Sequence, residues 1–166
     1  RFNKSYGPPQ PPVFLLAVLR LPFAFLPFPI NFILQLIGSL LVVYGFWIEP
    51  HRLTITRQSL ETPKLNKHTR LRVLHLGDLH IERITSREKR LQQKIKELKP
   101  DLILFSGDIL NLSYTHDSLA LEHARQIMSE WYAPLGVYAV AGSPAVDLAE
   151  IVREFYRQLP IRYLEE

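Results

Sequence analysis

The sequence predicts an α/β domain that follows an apolar, membrane-spanning helix, and three observations carry that prediction. Two apolar runs, Val73–Leu76 and Leu102–Phe105, each lead within two residues into a glycine and an aspartate, Gly77-Asp78 and Gly107-Asp108. The segment between them, from Thr85 to Leu98, places Leu91, Ile95 and Leu98 on one helical face. Upstream, no charged residue occurs from Leu21 to Ile48.

Length and composition set the outer bounds. A chain of 166 residues that is 47% hydrophobic can hold one domain and an accessory segment. The apolar residues are unevenly spread: residues 1–50 carry three basic side chains (Arg1, Lys4, Arg20) and one acid (Glu49). A net charge of +4 with no block of like charge gives no reason to expect a nucleic-acid partner. There is no cysteine, so disulfides and thiolate metal sites are excluded and any metal must take oxygen and imidazole ligands. The first residue is Arg1 and the last residues, Leu164-Glu165-Glu166, follow an expected strand; the expectation is a piece of a longer protein.

Residues 1–49 divide into a proline-rich leader (1–12) and a membrane anchor, with residues 50–166 as the globular domain, expected to be incomplete at its C-terminus. Pro22, Pro27 and Pro29 interrupt helix, which places the anchor at 31–48. Eighteen helical residues span roughly 27 Å, about one hydrocarbon core. Tyr44 and Trp47 fall at its far end, where amphipathic rings prefer the interface. A buried core helix is the alternative reading of 31–48. The run Val13–Phe28, broken by Arg20 and the prolines, reads as an interfacial segment or a second, poor span. Arg52, Arg57, Lys64, Lys67 and Arg70 follow the anchor and only Arg20 lies close before it, which leaves the domain on the cytoplasmic side by the positive-inside rule.

In the domain, Leu53–Thr56 alternates like a half-exposed strand, and a strand at 71–77 follows a loop containing Pro63. Thr85 and Glu88 form a capping box, and Pro100 marks the end of the helix they open. The run 102–105 is a second strand, so strand, helix and strand make a βαβ unit with two adjacent parallel strands. Helices are expected in 118–131 and 146–159, and strands in 136–142 and 161–164. The carboxyl ends of parallel strands open on one edge, where α/β folds place ligands. Asp78, His80 and Asp108 are therefore brought to one place; residues i and i+2 of an extended chain, such as Asp78 and His80, point the same way. Two carboxylates and an imidazole suit a hard-to-borderline divalent ion, although aspartates at such junctions also cap helices. Among the other histidines, His75 reads as a core residue and His51, His68 and His123 as surface residues, while His116 could supply an acid. Asn111 reads as a turn residue behind Asp108.

Asp78-Leu79-His80 after the first strand, then Pro100-Asp101-Leu-Ile-Leu-Phe-Ser-Gly107-Asp108, resembles the calcineurin-like metallophosphoesterase superfamily, over roughly residues 50–166. The resemblance is to its membrane-attached bacterial branch. It implies the N-terminal half of a four-layer αββα sandwich and a centre of two divalent ions, Mn, Fe or Zn. Asp78 and His80 would hold the first ion and Asp108 would bridge both. Water activated there would attack a phosphoester, and near a bilayer a lipid-linked phosphate is a reasonable substrate. The family's third motif, Gly-Asn-His-Asp/Glu, is altered here to Gly142-Ser143-Pro144, with Asp147 displaced to an expected helix start. Ser143 is a poorer ligand than asparagine, and Pro144 cannot transfer a proton. The remaining histidine ligands of the family are expected beyond Glu166, so the chain alone is expected to be inactive, with an uncovered apolar sheet face. Two alternatives stay open: a non-catalytic binding or scaffold domain at the membrane, and another α/β family whose strand-end aspartates bind Mg²⁺.

Overall fold

The structure, a computed structural model, describes residues 10–49, 52–66 and 69–165. It divides into two compact units, residues 1–52 and 53–166. Most of the expected leader, together with His51, His68 and the side chain of Trp47, lies outside the described residues.

The first unit holds two helices, α1 (Gln10–Val18) and α2 (Phe28–Val43), separated by a tight turn of 3-10 helix at Leu21–Phe25. α2 starts three residues before the expected Asn31, because a proline in the first turn of a helix costs nothing: the missing N–H would have had no partner there. The same rule lets α1 open with Pro11 and Pro12, residues assigned from sequence to the leader. Wider turns at Tyr44–Ile48 extend α2, and Phe28–Phe46 is long and apolar enough to cross a bilayer, with none of it buried within the protein. Arg20, the one charged residue among residues 10–48, is bonded to α2. Arg20 Nη1 donates to Ser39 Oγ at 3.1 Å, and Gln35 Nε2 donates to the Arg20 carbonyl at 3.1 Å. An added Cβ on Gly38 would lie 2.7 Å from Arg20 Cδ, so the arginine stem packs directly on the α2 backbone.

In the second unit, β1 (Val73–Leu76), α3 (Ser86–Leu98), β2 (Leu102–Phe105), α4 (Ser118–Met128), β3 (Val137–Ala139), α5 (Ala149–Arg157) and β4 (Arg162–Tyr163) alternate along the chain. All four strands are parallel, in the order β1-β2-β3-β4. Each crossover moves the same way across the sheet, so right-handed connections put all three helices on one face. On that face Ile103, Phe105, Val137 and Ala139 are buried against Ile95 of α3, Ala120, Ala124 and Met128 of α4, and Val152 and Phe155 of α5. Trp131 closes the core edge-on to Phe105, ring centroids 5.5 Å apart. α3 is capped as expected: the Thr85 side chain accepts from the Arg87 amide and Glu88 Oε2 accepts from the Thr85 amide at 2.7 Å.

The opposite face is bare among the described residues. Val73 is 47% exposed and Leu104 38%, whereas parallel sheets are ordinarily covered on both sides. This overturns the core assignment of His75. It is aligned with Leu104 and Tyr138 on the open face and is exposed, because its strand is buried on one side only. Leu53–Thr56 is likewise not a strand: among the described residues no strand pairs with it. The two faces should respond differently to truncation. Phe105→Ala should cost ~3–5 kcal/mol of unfolding free energy and Leu104→Ala less than ~1 kcal/mol, read from urea midpoints of the chain in detergent micelles.

Candidate metal centre

The carboxyl ends of β1 and β2 remain paired after the strands stop. The Asp78 amide donates to the Gly107 carbonyl (3.1 Å), His80 to Asp108 (3.1 Å) and Ile81 to Ile109 (2.8 Å). These bonds zip one ligand loop to the other and bring Asp78, His80 and Asp108 together: one ligand atom from each lies within 4.8 Å of the other two. All three residues have a left-handed backbone, with φ of 51°, 45° and 57°. That conformation is uncommon for residues with a side chain and clusters at functional sites. It turns the side chains out of the alternation of a strand and toward one point.

Close backbone contact fixes the floor of the site. A Cβ on Gly107, itself at φ 86°, would lie 1.9 Å from the Gly142 nitrogen, and one on Gly142 would lie 2.3 Å from the Asp108 nitrogen. Only glycine at both positions lets the loops after β2 and β3 touch. From the other side, Arg87 Nη2 donates to the Leu79 carbonyl at 2.7 Å while its Nε pairs with the buried Glu88 at 2.6 Å. The first turn of α3 thus grips the backbone between Asp78 and His80. Burial pushes the Glu88 carboxyl up, but the Thr85 hydroxyl and Arg87 outweigh this and hold it below the ordinary range.

The donors suit a divalent cation. His80 Nδ1 lies 3.2 Å from the Leu110 carbonyl, which can only accept, so Nδ1 is the donor and Nε2 is the nitrogen that would face a cation. Asp108 Oδ1 accepts from the Ser143 amide (2.7 Å) and hydroxyl (2.8 Å). Partial burial raises the Asp108 pKa, but the two Ser143 donors, with Asp78 and His80 nearby, lower it further and leave it below the ordinary carboxylate value.

The remaining candidates are sorted by the same geometry. His116 is exposed and outside the three-residue cluster. His123 is half-buried, and its Nδ1 accepts from the Ile84 amide at 3.3 Å, so it holds a loop rather than lying free on the surface. Asn111 is buried and donates to Glu82 at 3.0 Å behind the site. Asp147 does not cap a helix. Leu148 is the residue that opens α5, and the Asp147 carboxylate is buried against the amides of Asp108, Ile109 and Gly142. Sequence reasoning missed this because two of the three amide donors, Asp108 and Ile109, come from the loop after β2, far away in the chain. The one local signal was Pro144, which sets the turn in which the Val146 and Asp147 amides both donate to the Ser143 carbonyl at 2.9 Å.

Comparison with known families falls on this part of the chain. The family model described as calcineurin-like phosphoesterase matches residues 71–144, from the start of β1 to the turn after β3. Residues 71–144 belong to the calcineurin-like phosphoesterase superfamily. Two chlamydial proteins named UDP-2,3-diacylglucosamine pyrophosphatase LpxG, from Chlamydia trachomatis and Chlamydia muridarum, are 31% and 30% identical over 104 residues. An uncharacterized metallophosphoesterase of Aquifex aeolicus is 27% identical over 109 residues. These matches take in 61% to 64% of this chain but only 31% of each chlamydial protein and 40% of the Aquifex protein. No solved structure gives a significant match. The calcineurin-like phosphoesterase motif Gly-Asn-His reads Gly142-Ser143-Pro144 here, and the structure shows what replaced it: a hydroxyl directed at Asp108 and a proline turn.

The two Ser143 donors give Asp108 a testable titration. Ser143→Ala should move the Asp108 carboxyl to higher pH, read by side-chain carbon NMR of the metal-free chain. Because the folded pKa lies below the unfolded one, this carboxylate supports the fold above the unfolded pKa. That support disappears as pH falls through the folded value, and the variant should lose it at a higher pH than the wild type.

Proposed function

We propose that this chain is the N-terminal part of a membrane-tethered, metal-dependent phosphoesterase. The observation that carries the reading is the convergence of Asp78, His80 and Asp108 within 4.8 Å on left-handed backbone at the carboxyl edge of a parallel sheet. Asp78 and His80 would bind one divalent ion and Asp108 would bridge it to a second, Mn, Fe or Zn being suited to oxygen and imidazole donors. Such ions supply a water of lowered pKa and stabilise charge on phosphoryl oxygens. The residues of the chain do the rest. His80 is held in one tautomer by Leu110, Arg87 fixes the loop that bears it, and Ser143 orients the Asp108 carboxylate.

The substrate class we infer is a phosphoester or pyrophosphate on a lipid carrier. The names of the chlamydial relatives and the apolar helix Phe28–Phe46 both support it. α2 would tether the chain to the bilayer, and the basic residues after it favour the cytoplasmic side for the domain. The competing reading is a non-catalytic domain at the membrane that keeps the fold and an ion. Pro144 favours it, since no proton donor stands in the place of the family's histidine.

Turnover separates the two readings. In the whole protein, Asp108→Asn should remove bound metal and lower hydrolysis of an aryl phosphodiester by ~10³-fold, about 4 kcal/mol of transition-state stabilisation. Full metal content with no hydrolysis in the wild type would favour the binding domain, and unchanged metal and turnover in the variant would reject the phosphoesterase. The tether is tested apart from chemistry: the chain should stay with the membrane pellet after alkaline carbonate washing, and release into the supernatant would reject the span.

A further inference from the structure

We infer that Asp147 is a positioning residue for Asp108, an intramolecular anion set into a pocket of backbone amides; the inference rests on the metal-centre reading above. The Asp147 side chain is buried, 5% exposed. Its Oδ2 accepts from the Asp108 amide at 2.8 Å and the Gly142 amide at 2.8 Å, and its Oδ1 accepts from the Ile109 amide at 3.1 Å. Three N–H groups from the loops after β2 and β3 thus meet one carboxylate.

The consequence falls on the metal ligand. The left-handed backbone of Asp108 (φ 57°) is what turns its carboxylate toward Asp78 and His80, and that conformation is disfavoured for a residue with a Cβ. Asp147 binds the amides on either side of that residue's Cα, its own and that of Ile109, so the conformation at Asp108 is fixed from behind. The proline turn at Ser143–Val146 delivers Asp147 and simultaneously aims the Ser143 amide and hydroxyl at Asp108 Oδ1. A single five-residue segment therefore holds both the backbone and the carboxylate of the bridging ligand. Asp147 itself is not among the clustered ligand atoms, so its effect on the ion is through Asp108.

The test uses the whole chain in detergent micelles and titrates Mn²⁺ by calorimetry into the wild type, Asp147→Asn and a core control, Val152→Ala, at a site in α5 that is 2% exposed. Asparagine keeps the shape but loses one acceptor. Asp147→Asn should retain the wild-type helix content by circular dichroism and bind Mn²⁺ ~10–100-fold more weakly, the usual effect of disturbing a group that orients a ligand. Val152→Ala should melt earlier and bind Mn²⁺ as the wild type does. Equal affinity in Asp147→Asn, or an equal loss in the core control, overturns the inference. If Asp147→Asn does not fold, amide exchange in the wild type decides. Protection of the Asp108, Ile109 and Gly142 amides to the level of Ile103 in β2 supports the clamp, and exchange as fast as an exposed loop overturns it. A wild-type chain that takes up no Mn²⁺ overturns the metal-centre reading together with the inference, whereas wild-type binding left unchanged in Asp147→Asn overturns the inference alone.

Discussion

The geometry of the site depends on one constraint: Asp78, His80 and Asp108 must all sit in the left-handed region of backbone conformation. None of them is glycine, and each such residue costs about 1–3 kcal/mol unless its surroundings impose it. The surroundings here are almost entirely backbone. Loop amides pair with loop carbonyls past the ends of β1 and β2, two glycines let adjacent loops touch, and charged side chains bind the backbone from outside the cluster, Arg87 at Leu79 and Asp147 at Asp108. The candidate ligands are ordinary residues; their placement is what the fold supplies.

Much of this domain could be read along the chain because its determinants are local. The apolar runs at 73–76 and 102–105, the capping box of Thr85 and Glu88, and the glycine-aspartate steps each lie within a few residues of one another. The βαβ rule then converts two local strands into one edge, and Asp78, His80 and Asp108 follow. What could not be read depends on distant partners. His75 looks like a core residue within its strand, but its burial is decided by whether anything covers that face of the sheet. Asp147 does lie at the start of a helix, just before Leu148, but the partners of its carboxylate include the Asp108 and Ile109 amides, which no local pattern reveals. Leu53–Thr56 has the right alternation and no strand beside it.

The N-terminal unit shows the same division. Its apolar character is plain in composition, but α2 begins before the expected Asn31, because Pro29 is an ordinary first-turn residue there rather than a breaker. Arg20 interrupts an apolar run on paper. In the fold it is part of the unit's internal bonding, with its guanidinium and its carbonyl both engaged by the polar residues Ser39 and Gln35 of α2. A charge at such a position is tolerable in an apolar environment only when its donors are met by neighbouring groups.

The sequential strand order has a consequence for assembly during synthesis. Each strand lies beside the one made just before it, so the sheet can grow in one direction as the chain leaves the ribosome, through contacts of short sequence separation. The three candidate ligands have all been made once residue 108 has emerged, whereas Asp147 arrives thirty-nine positions later with the segment leading into α5. The candidate ligands therefore leave the ribosome before the amide-binding Asp147, which comes only with the third crossover.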